Sequence, residues 1–160
     1  MVLPEVKNLL LKLDKGVLEV TLNRPEARNA MSPGMVADLN TVFDAIAAAS
    51  EIRVVILRGA GGHFCAGADL KEMMAGGLKA PAPGEADPVV KFSRSFGGLL
   101  RKVTKLPAVV IAICEGAVLG GGFGFACVAY IAVAQVEAKF GLPETTRGLP
   151  PAQIAPFVVE

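Results

Sequence analysis

Tryptophan is absent from this chain, and tyrosine and histidine occur once each, as Tyr130 and His63. The three cysteines, Cys65, Cys114 and Cys127, form no C-x-x-C pair. With one histidine, that excludes the usual structural zinc sites, and no metal is expected. An excess of charge of either sign is also missing: Lys and Arg number 16 against 15 for Asp and Glu, a net +1. Such a balance gives no electrostatic footprint for nucleic acid and no polybasic patch for anionic lipid. Nucleotide cradles are poorly supported. The sequence G-x-x-x-x-G-K-[ST] does not occur, and Gly122-x-Gly124 runs on to Ala126 and Cys127 without completing G-x-G-x-x-G. Residues Met1 to Lys7 show neither a basic stretch nor an apolar core of a signal peptide, so a cytoplasmic chain with reduced thiols is expected.

What is abundant is hydrocarbon. Of the 160 residues, 52% are hydrophobic and only 19% charged, and mean hydropathy is +0.52, apolar for a soluble monomer. Either much of the surface is covered by other subunits or the chain belongs to something larger. Its length suits one domain, residues 1–160. The stretch Leu106 to Gln135 is long enough to span a bilayer, yet Glu115 and several glycines interrupt it. A buried strand, turn, helix and strand explain those breaks better, and no membrane span is expected.

Periodicity orders the rest. Leu9 to Leu13 and Val17 to Leu22 read as a hairpin around Asp14-Lys15-Gly16. Ser32-Pro33 is a cap and first-turn pair, after which Met35, Val36, Leu39, Val42, Phe43 and Ile46 recur at helical spacing. Arg53–Arg58, Ala108–Ile113 and Tyr130–Ala134 read as buried strands. Helices are expected over Asp69–Met74 and about Val89–Lys105, separated by a Pro- and Gly-rich loop. Strand and helix alternate, which predicts a layered, mostly parallel α/β arrangement.

Two runs carry the chemistry: Phe64-Cys65-Ala66-Gly67-Ala68-Asp69-Leu70 and Leu119-Gly120-Gly121-Gly122-Phe123-Gly124. Each follows an apolar strand and opens a helix, with side chains reduced to almost nothing. Backbone N–H groups are what remains to face a ligand, and two such turns can aim two donors at one carbonyl oxygen, as an oxyanion hole. Taken alone, the glycine triplet is equally a device for tight helix–strand packing. Asp69 reads mainly as the cap of its helix. Glu144, between Leu142-Pro143 and Arg147, is either a general acid or base over an apolar pocket or a loop carboxylate paired with Arg147.

These runs, together with Leu22-Asn23-Arg24-Pro25-Glu26-Ala27-Arg28-Asn29-Ala30-Met31-Ser32 and Phe140-Gly141-Leu142-Pro143-Glu144, resemble the crotonase (enoyl-CoA hydratase/isomerase) superfamily in order and spacing. The resemblance implies a spiral of ββα units and a CoA thioester as substrate, with coenzyme A as part of the substrate and no separate cofactor. It implies that the N–H groups of Ala66 and Gly121 hold the thioester oxygen while Glu144 moves the proton. Arg28, Ala30 and Ala66 to Leu70 (Gly67, Ala68 and Asp69 included) would border the CoA moiety, with Arg28 as a phosphate contact or a solvated charge. Hydratases of the family use two glutamates, and the first falls where this chain has Gly124. That departure suits a Δ3,Δ2-enoyl-CoA isomerase, or a hydratase with another means of holding water. A catalytically weak CoA-thioester-binding protein is the rival. The continuation from Glu144 to Phe157 looks similar to hydratases of branched (isohexenylglutaconyl-type) glutaconyl-CoA thioesters, in which Arg147 would meet a distal carboxylate. Family chains continue into helices that build homotrimers or hexamers, so a truncated core lacking those helices is expected.

Overall fold

A computed structural model describes residues 2–75, 85, 87–148 and 150–159. Strands β1 (Leu9–Asp14) and β2 (Val17–Leu22) pair antiparallel with Leu9 opposite Leu22. Lys15 and Gly16 between them both have positive φ, 47° and 83°, the backbone twist that a two-residue hairpin needs. Strands β3 (Val54–Gly59), β4 (Val109–Cys114) and β6 (Ile131–Ala134) add in parallel, giving the order β1-β2-β3-β4-β6. The expected α/β layering is present.

Helix α1 (Pro33–Ala47) starts where Ser32 Oγ accepts the Met35 N–H at 3.1 Å, and Pro33 occupies the first turn, where no N–H partner is lost. Its buried face is the one the spacing predicts: Met35, Val36, Leu39, Val42, Phe43 and Ile46. Helix α2 (Leu70–Ala75) is short, α3 (Pro88–Val103) packs on α1, and α4 (Gly121–Val128) follows the glycine triplet. Phe125 of α4 joins these layers, 5.7 Å edge-on to Phe96 and 6.5 Å from Phe43 between ring centroids. Helix α5 (Ala155–Val158) closes the described chain. Most of the Pro- and Gly-rich loop, 76–84, lies outside the described residues.

A second, two-stranded parallel sheet joins β5 (Ala117–Leu119) to β7 (Lys139–Gly141), and sequence reading does not anticipate it. Three-residue strands carry too little pattern to register. This small sheet matters for the site, because it places the loop after Gly141 against the glycine triplet.

The edge strand β6 is apolar, and all four of its residues are exposed. Ile131 and Val133 retain 45% and 51% of their surface, and Tyr130 before the strand 81%. An apolar, unpaired edge of this kind recruits another chain. Light scattering on a size-exclusion column is therefore expected to give a mass above the 16.5 kDa of one chain, lowered by Val133→Lys. A monodisperse monomer across the micromolar range contradicts this.

Candidate active site

The two glycine turns are held together by backbone. The Cys65 N–H donates to Ala117 O at 2.9 Å, and the Leu119 N–H returns to Cys65 O at 2.8 Å. Below that bridge the chains approach until no side chain fits. A methyl on Gly120 (φ 50°) would lie 3.3 Å from Gly67 Cα, and one on Gly122 only 2.7 Å from Cys65 O. Behind the turn, the Gly67 N–H donates to Cys65 Sγ at 3.4 Å. Burial pushes the Cys65 thiol up to about 12, so it stays a neutral acceptor.

Which N–H groups remain free follows from the bonds that are made. The Ala66 N–H donates to Arg28 O at 3.0 Å, Met31 N–H to Gly67 O at 2.7 Å, and Asp69 N–H to Met31 O at 2.9 Å. The segment is stitched to residues 28–31, and that stitching consumes the Ala66 donor. The expected oxyanion donor is thereby displaced: Ala68, not Ala66, has an N–H without an acceptor among the described residues. In the other turn the Gly120 N–H donates to Gly141 O at 2.9 Å. Gly121 is the first residue of α4, so its N–H has no acceptor within the helix. It also lies at the positive end of the helix dipole.

Ala68 and Gly121 both line a cavity of about 370 Å³, together with Glu144, Phe92, Phe96 and Ile154. Glu144 is carried on a 3-10 turn, Pro143–Arg147, directly after β7. Its Oε2 lies 3.5 Å from where a Gly120 methyl would be. Among the described residues the carboxylate makes no hydrogen bond and no ion pair. At Gly124 the space a side chain would enter is filled: a methyl there would meet Leu100 Cδ1 at 3.0 Å and Ile154 Cγ1 at 3.4 Å. One carboxylate therefore faces this part of the cavity, not two.

Around the rim, Asp69 behaves as the cap that its sequence position predicts. Its Oδ1 accepts the Glu72 N–H at 3.0 Å, and Oδ2 pairs with Arg24 at 3.0 Å. Burial alone would raise its titration, but the Glu72 N–H and the Arg24 guanidinium outweigh it and hold the carboxyl below the usual range. Arg24 also reaches Glu72 at 2.7 Å and Ala30 O at 3.0 Å, which leaves it little freedom to meet a ligand. Arg28 is exposed, with φ 48°, and its side chain makes no ion pair among the described residues. Ala30 is buried and Leu70 lines the cavity. The Arg147 side chain lies outside the described residues.

Sequence reasoning passed over Asn29, which is fully buried with φ 56°. Its amide donates to Ala60 O and His63 O at 2.9 and 2.7 Å and accepts the Arg24 N–H at 2.9 Å. The tolerance of asparagine for left-handed backbone was the available signal. His63 is structural too, accepting the Ala117 N–H on Nδ1 at 3.1 Å.

A layered α/β fold that brings two glycine turns and a carboxylate to one apolar cavity has the layout of the crotonase class of acyl-thioester enzymes. The family model described as "Enoyl-CoA hydratase/isomerase" matches residues 12–160, and the chain belongs to that family. Among curated relatives, it is 44% identical over 136 residues to the mevalonyl-coenzyme A hydratase SIDH of Beauveria bassiana, covering 83% of this chain and 48% of that protein. It is 39% identical over 139 residues to human enoyl-CoA hydratase domain-containing protein 2, mitochondrial, covering 86% and 45%. Among solved structures, Pseudomonas aeruginosa AtuE superposes with a TM-score of 0.88 at 49% identity, covering 96% of this chain and 57% of that one. An enoyl-CoA hydratase/isomerase from Marinobacter aquaeolei gives 0.88 at 53% identity, covering 95% and 58%. The chain thus spans about half the length of the curated relatives it matches. Among the described residues no helix is long and apolar enough to cross a membrane.

The Asp69 cluster supports a pH prediction. Asp69→Asn is expected to cost about 1.5 kcal/mol near neutral pH, the worth of a charged hydrogen bond. Because the folded carboxyl titrates below its unfolded value of about 3.9, the advantage of the native residue is complete above that value. It fades as pH falls through the folded titration. Denaturant unfolding at several pH values checks this, and a gap that widens in acid contradicts it.

Proposed function

We propose that the chain carries the thioester-activating core of a hydratase, adding water across the α,β double bond of an acyl-CoA. The observation that carries this reading is the pair of free donors, Ala68 N–H and Gly121 N–H, on the same cavity as the unpaired Glu144 carboxylate. As water attacks Cβ, the π electrons move onto the thioester oxygen, where the two N–H groups strengthen as charge develops. Losing one such donor costs roughly 3 kcal/mol of transition-state stabilisation. Glu144 accepts the proton of the attacking water and returns it to Cα, so that H and OH are added in balance. Similarity to a mevalonyl-coenzyme A hydratase supports hydration as the reaction and a CoA thioester as the substrate class. Exposed Arg28 is the residue we assign to a CoA phosphate. Arg147, on the same turn as Glu144, is assigned to the distal carboxylate of a branched glutaconyl-type acyl group. In the assembled enzyme, a homotrimer or hexamer covers the apolar edge of the sheet. The relatives include proteins named as mitochondrial, so the expected cytoplasmic location does not follow from family membership.

A second reading has its own observation. Gly124 leaves one carboxylate, and its space is filled by Leu100 and Ile154. A single acid/base can take a proton from Cα of a 3-enoyl thioester and return it to Cγ, which is Δ3,Δ2 isomerisation.

Glu144→Gln is expected to lower turnover of crotonyl-CoA, a branched glutaconyl-CoA or a 3-enoyl-CoA by about 100-fold or more, with thioester affinity retained in calorimetry. Unchanged rates overturn the assignment of Glu144. Tight thioester binding by the unmodified chain without turnover of any of the three favours a binding protein instead.

A further inference from the structure

Among the described residues, three that line the cavity carry polar side chains: Ser93, Glu144 and Gln153. Gln153 is the one the proposed chemistry has not used, and its placement is specific. Its side chain lies in a notch of α3 that exists only because residue 97 is glycine. A methyl on Gly97 would overlap Gln153 Oε1 and stand 2.8 Å from Cδ. Despite being half-buried, the amide makes no hydrogen bond among the described residues. The amide atoms are open to solvent, so a polar side chain held by shape and without a protein partner is available to a water molecule in the cavity.

The neighbours of the notch tie it to the rest of the cavity. Phe96, next to Gly97, touches Gly121, with its Cζ 2.8 Å from where a methyl on that glycine would be. Ile154, next to Gln153, fills the space in front of Gly124. Gln153 thus packs on α3 beside Phe96, which bears on Gly121, and precedes Ile154, which occupies the space at Gly124. Glu144 lines the same cavity.

We propose that Gln153 is a water-positioning residue, supplying the second hydrogen bond that holds the attacking water for Glu144 in place of the carboxylate missing at Gly124. An amide can accept from one water O–H while the other faces Glu144. It leaves the water lone pair directed at Cβ and stays neutral, so Glu144 alone moves the proton. This inference rests on the hydratase reading.

The test compares two reactions of the 160-residue chain. Hydration of crotonyl-CoA needs positioned water. Exchange of the α-proton of butyryl-CoA with D2O needs the same donors and Glu144 but adds no water, which makes it an internal standard for folding and binding. In Gln153→Met the ratio of hydration kcat to exchange rate is expected to fall about 100-fold, the scale for a misplaced reactant. Gln153→Glu restores part of it, and Gly97→Ala, which evicts the amide, lowers it in the same direction. A constant ratio overturns the proposal, whether both rates fall together or neither moves. Exchange without hydration in the unmodified chain also overturns it while leaving Glu144 and the donors in place. Absence of both reactions contradicts the hydratase reading itself.

Discussion

Everything at the cavity mouth depends on how closely the turn after Cys65 approaches the turn after Leu119. Two hydrogen bonds, Cys65 N–H to Ala117 O and Leu119 N–H to Cys65 O, set the register. Each contributes only about 1 kcal/mol net. The geometry they impose matters more than their energy. Gly67 and Gly120, both with positive φ, approach so closely that a Cβ on Gly120 would stand 3.3 Å from Gly67 Cα, so the backbone itself becomes the wall of the site. Donors built this way are held by the fold and need little reorganisation when charge appears on a bound oxygen.

The same contact organises Glu144. The Gly120 N–H donates to Gly141 O, and the β5–β7 pair continues that link. The 3-10 turn beginning at Pro143 is thereby docked beside the triplet, and Glu144 is delivered next to Gly120. Among the described residues neither oxygen of that carboxylate has a protein partner, as the proposed proton transfer requires. On the far side, Phe96 bears on Gly121 and edge-on against Phe125. The donor turn is therefore also coupled to the hydrophobic core.

Much of this was legible in the residues. The hairpin, α1 with its Ser32 cap and the strands β3 and β4 follow from periodicity and capping chemistry, because burial imposes those patterns locally, whereas β6, expected to be buried, is exposed along its whole length. The family resemblance grouped the two glycine runs with Glu144, and the structure puts them on one cavity. What could not be read is what depends on a partner in another element. Whether Ala66 or Ala68 keeps a free N–H is decided by Arg28 O, and nothing within Phe64–Leu70 encodes that choice. The pairing of Ala117–Leu119 with Lys139–Gly141 is too short to leave a periodic trace. Gln153 gains its meaning from the absence of a side chain at Gly97. Neither residue is informative alone.

The central claim is that Ala68 and Gly121 together polarise a thioester carbonyl, and vibrational spectroscopy reads that polarisation directly. Isotope-edited infrared difference spectra of crotonyl-CoA labelled with 13C at the carbonyl, recorded free and saturated with the protein, isolate this one bond. The account predicts a carbonyl stretch shifted to lower frequency in the complex, as two N–H groups draw electron density onto oxygen. A stretch at the frequency of the free thioester, with binding verified by calorimetry, contradicts it.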